Sequence, residues 1–164
     1  MSVAVSHSKL SGHEVVKRYF EALNNSDVQG ITDLFGDRAQ VFNLSFSPIE
    51  GKAGVQNFCQ EFFEQTTQRN FQLLSVAFAN QQVMAHWSAA LQFRSGAKVR
   101  SLVLETGFPL TLEGVNVFIF KDDGVIDEMK IFHETTSIAQ KAEELEQIIT
   151  GLGLRGSPFY RCCR

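Results

Sequence analysis

Four polar residues of this 164-residue chain stand among apolar neighbours, and their types suggest proton transfer or carbonyl polarisation. Tyr19 shares a helical stripe with Val15, Val16, Phe20 and Leu23. Its phenol either donates a hydrogen bond inside a pocket or belongs to a core aromatic satisfied by backbone. Asn43 lies between Phe42 and Leu44 on the face of Val41. An amide is disfavoured in mid-strand, so it is either an edge residue in water or a pocket ligand. Asn116 stands alone among Val115, Val117, Phe118, Ile119 and Phe120. A buried amide must find partners, because an unpaired one costs about 1–3 kcal/mol; a bound molecule is one such partner and a neighbouring side chain another. His133 alternates with Met129 and Ile131. It is either a proton shuttle or a core imidazole with its hydrogen bonds met.

The remaining candidates are assigned by alternation. Ala85, Trp87, Ala89, Leu91 and Phe93 form the apolar set of one strand, so Trp87 is expected in the pocket and His86, with Met84 and Ser88, outside it. Glu105 and Glu113 read as solvated charges beside the Gly107-Phe108-Pro109 loop, and Glu134 as a rim residue. No phosphate-cradling glycine motif, GxSxG elbow, HxxxH, HExxH or CxxC is present, so neither a metal site nor a bound cofactor is expected.

The elements that must position these residues follow from spacing. Ser11 and Glu14 make a capping box for a helix over residues 12–24, and Ser26 with Gln29 a second one for a short helix that Gly36 ends. Residues 39–46 read as a strand closed by a Pro48 and Gly51 loop. Val55, Phe58, Cys59, Phe62 and Phe63 form the stripe of a third helix, with Glu61, Glu64 and Gln65 on its far side. Strands are then expected over 71–78, 83–93, 99–104, 110–121 and 125–133, with a hairpin at Asp122-Asp123-Gly124. An amphipathic helix over 137–150 and a loose tail over 151–164 close the chain; residues 1–11 read as a flexible start and 12–150 as one domain. The fold class is α+β: a cone-shaped, curved antiparallel or mixed sheet wrapped over the N-terminal helices and enclosing an apolar pocket.

A net charge of -3 offers no field to hold a polyanion, so nucleic acid is not an expected partner. No apolar stretch reaches the roughly 18–20 residues of a membrane span and no signal sequence opens the chain, which reads as cytoplasmic. Cys59, Cys162 and Cys163 read as free thiols, the last two alternatively as a lipidation, redox or intermolecular disulfide site. The 15 Phe against 2 Tyr and 1 Trp put apolar, handle-free side chains on the strands and the covering helix. A cavity walled by them is short of catalytic groups and suits an apolar ligand.

The strings RYFEALNNSDVQGITDLFGDRAQVFN, PIEGKAGVQNF and GVNVFIFKDDGVIDEMKIFHE, in this order over about residues 12–140, resemble the nuclear transport factor 2-like superfamily in its SnoaL-like polyketide cyclase and ketosteroid isomerase branch. The resemblance implies an oxyanion-hole tyrosine at Tyr19 and a second donor at Asn116, where the isomerases carry a protonated aspartic acid. It puts Asn43 at the position of the general-base aspartate, and an amide cannot abstract a proton. Met129, Ile131 and His133 fall on the pocket wall, and an aspartate expected near Ile131 in epoxide hydrolase and cyclase relatives is absent. Three functions remain open. His133 is the acid or base while Tyr19 and Asn116 polarise a flat apolar polycyclic, isoprenoid or polyketide substrate held by Phe58, Phe62, Trp87, Phe118, Met129 and Ile131. Alternatively the pocket binds without catalysis, with Tyr19, Asn43 and Asn116 fixing the ligand's polar end. In the third, the domain is a dimerisation module, a homodimer formed through its sheet face.

Overall fold

A computed structural model describes residues 11–43, 46–99, 102–104 and 107–133. The expected helix over 137–150, the tail with Cys162 and Cys163, and Glu105 and Glu134 lie outside the described residues.

Helix α1 (Gly12–Asn25) starts where expected, with the Ser11 hydroxyl accepting from the Glu14 amide at 3.3 Å. It buries Val15, Val16, Tyr19, Phe20, Ala22 and Leu23, the 3.6-residue stripe of an amphipathic helix. The next junction differs from expectation. Ser26 takes the left-handed conformation at φ 58° and closes α1, while Asp27 caps α2 (Val28–Thr32) by accepting from the Gly30 amide at 2.8 Å. A residue with positive φ cannot hold the extended backbone of an N-cap, so the cap moves one residue on. Helix α2 ends at Thr32 rather than at Gly36, which is the second residue of β1 (Phe35–Asn43).

The Pro48 segment is a strand, not a loop: β2 (Phe46–Glu50) pairs antiparallel with β1 through Val41↔Ile49. Strand order places β2 at the sheet edge, where a residue without an N–H is tolerated. Helix α3 (Gly51–Gln65) follows, then β3 (Thr66–Ala79), β4 (Gln82–Phe93), β7 (Phe108–Phe120) and β8 (Ile126–His133). Between β4 and β7, residues expected as one strand form the pair β5 (Ala97–Val99) and β6 (Leu102–Leu104), joined Ala97↔Leu104. Three-residue strands are too short for alternation to reveal.

The main sheet has the order β2-β1-β8-β7-β4-β3 and is mixed, because β1 runs parallel to β8 while the other pairs are antiparallel. Its concave face carries Val83, Ala85, Trp87, Ala89, Leu91 and Phe93 of β4, all buried, and α1 and α3 pack on that side. The exposed edge of β3 is met by a side chain: Asn24 donates to the Phe71 carbonyl at 2.9 Å and accepts from the Phe71 amide at 2.7 Å. A carboxamide thus replaces the missing neighbour strand for one residue and blunts an edge that would otherwise invite pairing. The hairpin from β7 to β8 turns at Gly124, whose φ of 89° suits glycine.

Candidate functional site

Between α1, α3 and the concave sheet face lies a cavity of about 900 Å³. Strand register decides which polar residues reach it. Asn43 of β1, Ile131 of β8, Asn116 of β7 and Ala85 of β4 occupy one row across the sheet, and His133, Gly114 and Trp87 the adjacent one. Side chains in one row share a face. Tyr19 approaches from α1 above them, and Tyr19, Asn43, Asn116 and His133 all line the cavity.

The four are not equivalent. Asn43 Nδ2 and His133 Nε2 are 3.3 Å apart, within hydrogen-bond reach. The two lie 90 residues apart in the chain, and only the parallel β1–β8 pairing brings them together. Asn116 is 3% exposed, and its Oδ1 accepts from Trp87 Nε1 at 3.0 Å while its Nδ2 reaches Met129 Sδ at 3.7 Å. Tyr19 packs edge-on against Phe118, Phe35 and Phe20. Burial, with the nearby Cys59, drives its phenol well above the ordinary tyrosine range, so Tyr19 keeps its proton and can act only as a neutral donor or acceptor. Burial also pushes the Cys59 thiol up to about 12, so it is no thiolate nucleophile at neutral pH.

The apolar wall is aromatic. Phe71 packs against Trp87, Phe20 and Phe62 with ring centroids 5.6–6.3 Å apart. Leu91, Phe93, Leu110 and Leu112 extend the lining along β4 and β7. Of the residues expected to hold a ligand, Phe58, Phe62, Trp87 and Ile131 line the cavity. Phe118 and Met129 are almost wholly buried behind it instead, Phe118 edge-on to the Tyr19 ring and Met129 against the Asn116 amide. His86, on the other sheet face, bonds Glu113 at 2.6 Å, which makes Glu113 a paired rather than merely solvated charge.

Several lining residues escape the sequence reading. Asn57, Glu61 and Gln65 recur every fourth residue on α3 and face the cavity, although Glu61 and Gln65 were expected on the far side of that helix. The i, i+4, i+8 spacing was the available signal. Ser47, Pro48, Ile49 and Glu50 join them from β2. Among the described lining residues there is no Lys or Arg; the ionisable groups are Glu50, Glu61, His133 and the neutral Tyr19.

The family model described as the SnoaL-like domain matches residues 16–129. Solved structures share the fold. A protein of Shewanella denitrificans OS-217 classed with SnoaL-like polyketide cyclases is 12% identical, with TM-score 0.69, over 81% of this chain and 97% of that one. The epoxide hydrolase/cyclase-like enzyme SalBIII, tied to pyran ring formation in the polyether salinomycin, is 19% identical, with TM-score 0.63, over 77% of this chain and 92% of that one. An LEH-like epoxide hydrolase of M. tuberculosis is 16% identical, with TM-score 0.63, over 79% and 82%. At these identities the likeness speaks for the fold alone. No curated protein matches the sequence.

Proposed function

The chain belongs to the SnoaL-like domain family, and from that premise we propose that its cavity takes an uncharged, apolar small molecule of polycyclic, isoprenoid or polyketide type, on which His133 performs an isomerase- or cyclase-like proton transfer. The observation that carries this reading is the composition of the 900 Å³ cavity: an aromatic and aliphatic wall with Tyr19, Asn116 and the Asn43–His133 pair as its polar groups near the sheet. Such a lining favours burial of flat apolar surface, at about 25 cal/mol per Å², and fixes orientation with a few polar contacts. A ligand carboxylate would meet two Glu side chains and no described Lys or Arg, so anionic substrates are disfavoured.

In this reading His133 moves a proton while Tyr19 and Asn116 donate to the oxygen on which charge develops. Asn43 replaces a general-base carboxylate and contributes orientation of the imidazole, as an amide brings direction without charge. Structures of similar fold named for polyketide cyclase and epoxide hydrolase/cyclase chemistry support the substrate class. Native mass spectrometry of the protein as purified tests the ligand: the expected result is a retained neutral molecule, released on unfolding. With that molecule as substrate, His133→Ala should lower kcat by a factor of about 10²–10⁴; a variant with full turnover removes His133 from the mechanism, whereas a parent protein that leaves the molecule unchanged leaves only the non-catalytic binding function standing.

A second reading has its own support. The convex sheet face presents exposed Met84 and Phe132 beside Val115 and Val117, a patch suited to the homodimer expected from sequence.

A further inference from the structure

Trp87 is the single tryptophan of the chain, 4% exposed, with a nitrogen that can only donate. Its Nε1 lies 3.0 Å from the Asn116 side chain, so the atom facing it must be the amide oxygen. On the other side Asn116 meets the Met129 sulfur at 3.7 Å, an acceptor, which fits the NH₂ end. Both neighbours therefore impose the same amide orientation. The indole N–H fixes the oxygen toward itself through one of its two lone pairs, whereas the NH₂ carries two hydrogens and the thioether, a weak acceptor, takes at most one. Asn116 lines the cavity.

We propose that Trp87 is a positioning residue: its indole N–H locks the Asn116 amide so that the cavity floor presents a hydrogen-bond donor, making the pocket selective for ligands with an acceptor oxygen, such as a ketone, over hydrocarbons of the same shape. This deepens the functional reading above and rests on it. Gly114 is part of the same device. It lies in register between Trp87 and His133, and a Cβ there would come within 2.6 Å of Trp87 Cζ2 and of the Phe132 carbonyl oxygen, and 3.0 Å from His133 Cβ. The missing side chain is what lets the indole pass close over residue 114 and reach Asn116. Without the indole, either end of the amide can turn toward the ligand, and the selectivity for an acceptor is lost although the amide remains.

The test uses 2-acetylnaphthalene and 2-isopropylnaphthalene, measured by equilibrium dialysis against the full chain. The parent protein should prefer the ketone about five- to tenfold, the ratio one net hydrogen bond supplies. In Trp87→Phe the ratio of ketone to hydrocarbon affinity should fall to about twofold or less whatever the change common to both probes, and the infrared carbonyl stretch of the bound ketone should move to higher frequency. Met129→Leu, which keeps the indole contact, should retain the preference. A ketone preference unchanged in Trp87→Phe but abolished in Asn116→Leu overturns the positioning role; equal binding of both probes to the parent overturns the donor floor. If neither probe binds, it is the pocket reading itself that fails. Should Trp87→Phe not fold, the parent chain decides through its one indole N–H resonance, which must shift upfield in Asn116→Leu; a resonance indifferent to that change overturns the proposal.

Discussion

Tyr19 and Cys59 tie the pocket to alkaline pH through groups that are neutral when folded. An unfolded chain releases the Cys59 proton near 9, the folded one only at about 12, so in between the unfolded state binds fewer protons. By linkage, stability is fully present below about pH 9 and falls as pH rises toward 12, at up to about 1.4 kcal/mol per pH unit for one group, with Tyr19 adding to the slope at the upper end. Melting temperatures taken from pH 8 to 11 should therefore decline, and Cys59→Val, which keeps an apolar side chain of similar size, should flatten the lower part of that decline. An identical slope in the variant would remove Cys59 from the account. At this scale the sequence was informative about type and face. Tyr19, Asn43, Asn116 and His133 could each be picked out as polar among apolar neighbours, and all four line the cavity. What alternation could not give was pairing. Asn43 with His133 and Trp87 with Asn116 depend on which strands adjoin, a property of the whole sheet that no local window contains.

Strand β7 shows how an element turns such pairings into a surface. Leu110, Leu112, Gly114, Asn116 and Phe118 all point to the concave side, and the glycine in the middle opens room for a Trp87 ring from β4 and His133 from β8. A methyl group at Gly114 meets backbone oxygen as well as the indole, so the strands themselves must move. Gly114→Ala should cost about 1–3 kcal/mol by chemical denaturation, the range for overpacking, against the gain of a few tenths to about 1 kcal/mol that Gly→Ala brings at a compatible strand site. A neutral or stabilising result would mean that the floor is plastic. Elements with a strong period or a cap were legible: α1 with its Ser11 cap, α3, β4 and the turn at Gly124 fall where spacing puts them. The exceptions have local causes. Thr66, Arg69 and Asn70 are polar enough to hide the first residues of β3, where Arg69 stacks on Phe63 at 4.9 Å and bonds Thr66. Pro48 disguises β2, since a proline argues against a strand except at the edge position that β2 happens to fill.

For the molecule as a whole, the described phenylalanines serve two surfaces rather than one. Phe20, Phe62, Phe71 and Phe93 line the cavity and Phe35 and Phe118 back it, but Phe132 is 42% exposed on the convex face, where β8 pairs it with Val115 of β7. Met84, 41% exposed, stands opposite Val117 one pair along, and the His86–Glu113 and Lys130–Glu128 pairs border the apolar strip. An apolar centre with a charged rim is the pattern of a protein contact, and a two-fold axis through such a face would set each copy's strip against its twin's. The cavity opens on the opposite side of the sheet, so dimerisation and ligand binding do not compete for the same residues. Sedimentation of the parent chain should give a dimer of about 37 kDa, twice the 18.4 kDa chain. Met84→Glu with Phe132→Glu would bring like charges together across the axis at exposed positions whose change costs the fold little, and should yield a folded monomer that still binds 2-acetylnaphthalene within about threefold of the parent. A parent chain that sediments as a monomer at tens of micromolar would leave the patch without this partner, whereas a monomeric variant that loses its ligand as well would mean that the sheet face and the cavity are coupled through β4, β7 and β8.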